Sequence, residues 1–232
     1  MMLDLWPQLA ADLEAVERRL EKETANYIQT LSRPWERYFL PALVMLSGRF
    51  YGYRGERLVS LAAVLQLIFT ASFVHAKANR DAARPTLWGD YLYAKFFELL
   101  CRDGNLEFLE PLAEMIGNLH LNFIACLAEK KEAPDAQAGF IEGCGLLGGN
   151  AARLGGTVGG ARPQEARVWY ELGRALGIIW GMRIMEREMP IMQQVEAVKA
   201  ALKRLPASSG RDSLENMLWA LAKPERAQQL AT

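Results

Sequence analysis

The sequence lacks several features that define other classes of protein. Lysine plus arginine and aspartate plus glutamate both number 27, so no net charge attracts nucleic acid or an anionic membrane. The few cysteines lie far apart and form no Cys-x-x-Cys pair, which argues against a disulfide framework or a zinc knuckle. They are Cys101, Cys126 and Cys144. No segment alternates apolar and polar residues as a half-buried strand does, so we expect no β-sheet.

Signals for export and for membrane insertion are also missing. Asp4 stands where a signal peptide carries a cation, and no apolar run follows it. We therefore expect a cytoplasmic protein. The most apolar window, Leu58 to Val74, is interrupted by polar residues such as Gln66, whereas a transmembrane helix needs about 20 predominantly apolar residues. The window favours a buried helix at the centre of a bundle over a membrane span.

Apolar residues recur every three or four positions through most of the chain, which predicts helices. Leu9, Leu13, Val16 and Leu20 form one such stripe. Segment 76–85 carries no apolar period and is predicted to be a frayed helix end followed by a loop, and Pro111 is predicted to kink its helix. Helices are predicted at 4–30, 35–50, 56–75, 88–102 and 106–131, from 134 and from 163 onwards, and at 191–205 and 211–222.

One domain is expected, because 232 residues, about half of them hydrophobic, suffice for one sizeable core. It comprises residues 1–232, with an amino-terminal helix in 1–31 and short helices in 191–232. Nine glycines lie between positions 139 and 160. Each costs a helix about 1 kcal/mol relative to alanine, so this helix is expected to pack closely on its neighbours or to kink.

Five segments resemble, in order, the conserved blocks of trans-isoprenyl (polyprenyl) diphosphate synthases. Together they cover roughly residues 32–191. The resemblance implies an all-α, antiparallel helical bundle of the isoprenoid synthase type, shortened. The segments are Leu40–Ser47, similar to the family's Arg-Pro-x-Leu-x-x-Leu helix; Leu61–His75, similar to the helix before the first aspartate-rich motif; Gly89-Asp90-Tyr91-Leu92; Glu142–Gly160, similar to the glycine-containing helix; and Leu172–Gly177, similar to the Leu-Gly-x-x-Leu-Gly before the second aspartate-rich motif.

The residues that the resemblance assigns to magnesium binding are missing. In the family, two Asp-Asp-x-x-Asp clusters hold Mg²⁺ ions that neutralise the allylic diphosphate. The first cluster should follow His75, where the chain reads Ala76-Lys77-Ala78-Asn79-Arg80, and basic side chains there repel a divalent cation. The second should fall within Trp180–Glu188, which contains no aspartate. We therefore expect no metal and no catalytic residue in this chain.

The resemblance also implies a site for the second substrate, isopentenyl diphosphate, built from basic residues and a histidine or glutamine. The matching positions here hold Arg37, Tyr38, Leu40 and Phe69, of which only Arg37 keeps a charge. The family's Lys-Thr pair falls within Gly143–Gly145. Both substrate sites are therefore interpreted as degraded.

Four residues are candidate lining for a tunnel that holds a prenyl tail: Phe69, Ala71, Ser72 and His75. The small side chains of Ala71 and Ser72 leave room for a long tail, but close helix packing is the alternative explanation. His75 and His120 are predicted to be packed, hydrogen-bonded histidines, the former without an acid nearby. Asp90 is predicted to be a cap or a helix–helix hydrogen-bond acceptor. Cys144 is predicted to be a small buried residue.

Three functions are compatible with the sequence. The first is a non-catalytic subunit of a heterodimeric polyprenyl diphosphate synthase, which needs no cofactor of its own because the catalytic partner binds Mg²⁺. Since family members pair through helices in the middle of the fold, the partner is a catalytic synthase subunit or a second copy. The second is a module that binds an isoprenoid ligand. The third is an active prenyltransferase that uses dispersed carboxylates such as Asp81, Asp90 and Glu98.

Overall fold

The computed structural model describes residues 7–24, 33–77, 83–128, 133–185, 191–206, 208 and 210–222, without the side chains of 34, 76–77, 83–85, 122–128 and 133–136. These ranges contain nine α-helices, two short 3-10 helices and no strand. The α-helices are α1 (Ala10–Thr24), α2 (Pro34–Phe50), α3 (Glu56–Lys77), α4 (Ala83–Arg102), α5 (Leu109–Ala128), α6 (Ala133–Gly159), α7 (Pro163–Ile184), α8 (Met192–Arg204) and α9 (Gly210–Ala222).

The all-α prediction is confirmed, and two local predictions are wrong. The frayed end and loop predicted over 76–85 are too long, because α3 continues to Lys77 and α4 already starts at Ala83. Pro85 therefore lies in the first turn of α4, where a helix tolerates proline. Pro111 does not interrupt a helix, since α5 begins at Leu109 and the backbone nitrogens of a first turn have no intrahelical partner.

Helix α3 runs through the centre of the bundle. Every side chain from Leu61 to Ile68 is buried, and each large aliphatic one contributes roughly 1.5–3 kcal/mol by leaving water. The buried Gln66 donates its amide to the carbonyl oxygen of Glu36 at 3.0 Å. Among the described residues, Glu56–His75 is the one stretch long and apolar enough to cross a membrane, and 94% of its window is buried by the protein itself. This burial confirms the predicted core helix.

The glycines of α6 permit two very close helix crossings. A Cβ atom built on Gly148 would lie 2.4 Å from the carbonyl oxygen of Gly173 in α7. On the opposite side, a Cβ on Gly155 would lie 2.5 Å from the carbonyl oxygen of Val44 in α2, and one on Gly159 would lie 2.6 Å from that of Gly48. The prediction of tight packing is confirmed, because backbones at these distances leave no room for a side chain.

Asp103, just after α4, ties three helices together. Its carboxylate accepts hydrogen bonds from Arg19 of α1 and, at 2.8 Å, from the Ser60 hydroxyl of α3. Burial alone would raise the pKa of this carboxyl, but the bonds from Ser60 and Arg19 lower it below its ordinary value. The charged form of Asp103 is therefore part of the contact that holds α1 on the bundle.

One hydrophobic cluster contains buried side chains from all nine described helices. At its outer end, Arg183 of α7 reaches the last turn of α9. Its guanidinium donates to the carbonyl oxygens of Ala220 and Leu221, each at 3.3 Å, and lies over the ring of Trp35. Basic side chains commonly satisfy such terminal carbonyls, so Arg183 attaches the carboxyl-terminal helix.

Candidate functional site

The carboxyl-terminal end of α3 meets α4 and α5 at a group of aromatic rings. The imidazole of His75 stacks on the Tyr93 ring, with centroids 5.7 Å apart, and lies edge-on to His120 at 6.5 Å. Its Nε2 atom is 3.4 Å from a carboxylate oxygen of Asp90. A Cβ on Gly89 would lie 2.3 Å from the same nitrogen. Glycine at position 89 thus lets α4 approach the His75 ring.

A chain of hydrogen bonds joins Ser72, Tyr93 and His120 across the three helices. The Tyr93 hydroxyl is 2.9 Å from the Ser72 hydroxyl and 2.9 Å from His120 Nε2. Burial raises the pKa of Tyr93 and lowers the pKa of His120, which His75 lowers further. Both rings are therefore neutral near pH 7, and the chain links α3, α4 and α5 without a net charge.

The predictions for these residues have mixed outcomes. His120 is packed and hydrogen-bonded, which confirms its predicted structural role. The expectation that no acid lies near His75 is wrong, because the crossing of α3 and α4 brings Asp90 to it. Asp90 thus contacts a second helix through this ion pair, and the hydrogen bond predicted for it stays a prediction.

Within the described part of the chain, no three or more His, Cys, Asp or Glu side chains are arranged to hold a metal ion. The predicted positions Ala78, Asn79 and Arg80, and with them Asp81, lie outside the described residues, as do Glu186, Arg187 and Glu188. Of the other dispersed carboxylates, Glu98 is paired with Lys95 at 2.8 Å and with Arg102 at 3.3 Å on the surface. These ion pairs, rather than a metal, account for Glu98.

The candidate tunnel residues lie together along α3 but surround little space. Phe69 and Ser72 line a cleft of about 10 Å³, room for roughly one water molecule. Ala71 is fully buried, and the Ser72 hydroxyl also donates to the carbonyl oxygen of Ile68 at 2.8 Å. Close packing therefore accounts for these two small side chains.

Aromatic rings fill the space between α2, α3 and α7. The Trp180 ring stacks on Phe39 with centroids 4.6 Å apart and contacts Phe69 at 4.9 Å. Phe69 in turn stacks on Phe73 at 5.6 Å. The indole nitrogen of Trp180 donates to the carbonyl oxygen of Trp35 at 3.1 Å. Trp180 is thus fixed by both packing and a hydrogen bond.

The residues at the expected diphosphate-binding positions are engaged with other parts of the protein. Arg37 forms an ion pair with Glu17 of α1 at 2.5 Å. Tyr38 also donates to Glu17, and burial together with this carboxylate raises the pKa of Tyr38 to about 12. Leu40 is fully buried. The one cation among these positions is therefore neutralised by an internal partner.

Cys144 occupies part of the position expected for the Lys-Thr pair, and it is tightly enclosed. A Cβ on Gly177 would lie 2.3 Å from the Cys144 carbonyl oxygen, and one on Gly181 would lie 2.9 Å from the Cys144 Cβ atom. Burial raises the pKa of the Cys144 thiol well above its ordinary value. The prediction of a small buried residue is confirmed, and a lysine side chain has no space here.

Exposed side chains, several of them apolar, lie along α4, on the turn after it and along α5, and the Tyr93–His120 hydrogen bond joins these two helices. We call these exposed stripes the outer face and define it by Leu87, Asp90, Ala94, Phe97, Leu106, Ala113, Gly117 and Leu121. Large apolar residues on it are 45–67% exposed. A Cβ on Gly117 would meet nothing within 4 Å. Sequence reasoning missed this surface, although the three- and four-residue spacing of its members was available as a signal.

Comparisons with known proteins identify relatives of this fold. No family model matches the chain. The octaprenyl diphosphate synthase of Escherichia coli is 25% identical over 156 residues, which are 59% of this chain and 48% of that protein. Component 2 of the heptaprenyl diphosphate synthase of Geobacillus stearothermophilus is 27% identical over 196 residues, 73% of this chain and 61% of that protein. The crystal structure of a decaprenyl diphosphate synthase from Rhodobacter capsulatus has the same fold, with a TM-score of 0.78, 19% identity and coverage of 95% of this chain and 98% of that one.

The chain is similar in sequence to trans-isoprenyl diphosphate synthases and has their fold. It spans about half to three-fifths of the length of the two synthases that it matches in sequence. The glycines of α6 and α7 maintain the helix crossings described above, and Gly89 leaves room for the His75 ring. Similarity to synthases does not by itself assign catalysis to the residues at the end of α3.

Proposed function

We propose that this chain is a non-catalytic subunit of a polyprenyl diphosphate synthase and that a catalytic homologue provides the magnesium site. One observation carries the proposal: the positions at which the family resemblance expects diphosphate-binding groups are occupied by internal contacts. Arg37 is paired with Glu17, Phe69 lies against Trp180, and Cys144 is enclosed by glycines of α7. A diphosphate at these positions would have to displace parts of the core.

Electrostatics support the same proposal. A diphosphate leaves readily only when metal ions or other cations neutralise the developing charge. At the expected first cluster the sequence has Lys77 and Arg80 in place of carboxylates, and near the second it has Arg183, which binds the end of α9. Basic side chains at these positions repel magnesium ions instead of binding them. A partner that carries both acidic clusters supplies what this chain lacks.

Two observations support a partner. The name of the Geobacillus stearothermophilus relative makes that protein one component of its synthase. In this chain, the outer face exposes Leu87, Phe97 and Leu121 to solvent. Apolar patches of this kind commonly mark protein–protein contacts. In our proposal the outer face docks the catalytic subunit, and the complex makes isoprenoid chains such as quinone side chains in the cytoplasm.

The proposal is tested by expressing the chain with each isoprenyl diphosphate synthase homologue from the same genome. Each purified complex, and the chain alone, is incubated with Mg²⁺, an allylic diphosphate and isopentenyl diphosphate, and released pyrophosphate is measured. We expect no release by the chain alone, and release by one complex that exceeds that of the homologue alone. Co-purification with no homologue, or no gain in activity in any complex, contradicts the proposal.

A pair of matched variants localises the contact. Leu121 on the outer face and Met192 at the start of α8 have similar exposure, 64% and 61%. Leu121→Glu should abolish co-purification, because it places a charge in an apolar interface. Met192→Glu should leave the complex intact. Equal effects of both variants would rule out the outer face as the contact.

The isoprenoid-binding alternative has less support. The cleft beside Phe69 and Ser72, at about 10 Å³, cannot hold a prenyl chain without rearrangement of the surrounding rings. Phe69, Ala71, Ser72 and His75 keep a proposed tunnel role only if the partner opens this region. Native mass spectrometry of the purified chain distinguishes the two proposals, since a binding module should retain lipid.

A further inference from the structure

The outer face combines apolar side chains with exposed carboxylates. On α4, Asp90 lies between Leu87 and Ala94 along the exposed stripe, and its side chain is 65% exposed. On α5, Glu110 and Glu114 are exposed beside the stripe that contains Ala113. Within the described residues, none of the three carboxylates has a lysine or arginine partner. The face therefore has apolar stripes with carboxylates on and beside them, and we call these three carboxylates its acidic border.

The basic side chains that the structure describes on α4 are already engaged. Lys95 is paired with Glu98 at 2.8 Å and with Glu23 at 3.6 Å. Arg102 is paired with the buried Glu23 at 2.6 Å, as well as with Glu98. Helix α5, Leu109–Ala128, contains no lysine or arginine. Among the side chains that the structure describes on these two helices, no lysine or arginine is therefore free to neutralise Asp90, Glu110 or Glu114; the side chain of Arg84, in the first turn of α4, lies outside that description.

From this pattern we infer that the outer face selects a partner chain whose docking helices carry lysine or arginine, and that it disfavours a second copy of this chain. A symmetric pair of copies uses the same patch twice. In such a pair the acidic border of one copy faces that of the other, and like charges across an interface suppress the wrong partner. A basic partner has the opposite effect. The inference rests on the proposed subunit function and specifies its partner.

The test uses a variant of this chain as the basic partner of the wild type. In the variant Glu110→Lys/Glu114→Lys, the apolar stripes are unchanged and the border becomes basic. Fluorescently labelled wild type is titrated with unlabelled wild type or with the variant, and sedimentation velocity gives the fraction of dimer. We expect the mixed pair to bind at least about tenfold more tightly than wild type binds itself at about 0.05 M salt, with the difference largely lost at about 0.5 M.

A matched control distinguishes the border from a general charge effect. Asp212 and Glu215 are exposed on α9, and Asp212 lies in the first turn of its helix, as Glu110 does. The variant Asp212→Lys/Glu215→Lys therefore changes the net charge equally at a similar helix position but away from the outer face. It should bind wild type no better than wild type binds itself. Unfolding curves establish that both variants are folded.

Three results overturn the inference: no dimer in the mixture of wild type with the outer-face variant, equal gain with the α9 variant, or wild-type self-association as tight as the mixed pair. The failure of the subunit proposal is separate. If no homologue gains activity but the mixed pair forms, the charge selection stands without the synthase partner. If a complex is active but the mixed pair does not form, only the charge selection is lost.

Discussion

Two regions of the molecule can be compared: the crossings of α6 with α2 and α7, and the ends of α3 and α7. The family resemblance predicts glycines at the first and substrate-binding residues at the second. At the crossings the expected glycines are present, and backbones meet at distances that allow no side chain, as between Gly148 and Gly173. Towards the helix ends the resemblance expects substrate-binding groups, but Phe69, at the position expected to hold histidine or glutamine, packs against Trp180. The close contacts that the fold needs are therefore present, and the proposed loss concerns only the substrate-binding groups.

The largest effect is expected when a side chain is introduced at a glycine crossing. Gly173→Val would place its Cβ about 2.2 Å from the Gly148 carbonyl oxygen, which cannot move without separating two helices. We expect a loss of about 5 kcal/mol or more in the free energy of unfolding, seen as failure to purify folded protein. In contrast, Gly117→Ala, whose Cβ meets nothing within 4 Å, should gain up to about 1 kcal/mol. Normal urea unfolding of Gly173→Val would show that the crossing is not tight.

A smaller effect is expected from removing the largest side chain that fills the helix ends. Trp180→Ala should lower the free energy of unfolding by about 3–5 kcal/mol, since it leaves a cavity beside Phe39 and Phe69 and removes an indole hydrogen bond. Trp219→Ala, at a tryptophan that is 49% exposed, should cost less than about 1 kcal/mol. Guanidinium unfolding measures both. Similar losses would mean that Trp180 is not part of the core.

The ion-paired contact at Asp103 should be worth less and should depend on pH. Asp103→Asn should cost about 1–3 kcal/mol near pH 7, because Arg19 and Ser60 lose a charged acceptor. The pKa of Asp103 is lowered in the folded protein, so its contribution is complete above the unfolded value of about 3.9 and is lost as the pH falls through the folded value. The stabilities of wild type and variant should approach each other as the pH falls below about 3.9. Glu215→Gln, on an exposed side chain, should stay within about 0.5 kcal/mol.

The smallest expected effect concerns the hydrogen-bonded chain at the end of α3. Tyr93→Phe removes the hydroxyl that joins Ser72 to His120 and should cost about 0.5–1.5 kcal/mol. Tyr170→Phe should cost close to nothing, because the ring of Tyr170 keeps its contact with Arg153. If Tyr93 is only structural, Tyr93→Phe should leave the activity of the complex unchanged. A loss of activity greater than about tenfold would assign this hydroxyl a chemical role.

The sequence could predict what local periodicity and backbone sterics determine. The apolar run of α3 predicts a core helix, and the glycines of α6 predict close crossings, since both follow from the properties of single helices. The approach of Asp90 and His120 to His75 could not be predicted, because it depends on how α3, α4 and α5 cross. For the same reason, the sequence alone could not predict that Trp180 meets Phe69. Pro111 was misjudged because its meaning depends on where α5 begins.

The proposed function requires that this chain carry no functional diphosphate and magnesium site. Pyrophosphate release by the isolated chain decides this, measured with Mg²⁺, an allylic diphosphate and isopentenyl diphosphate at protein concentrations that would reveal a very slow enzyme. We expect release no faster than in buffer and no change when Mg²⁺ is chelated. Saturable release that requires Mg²⁺ would contradict it.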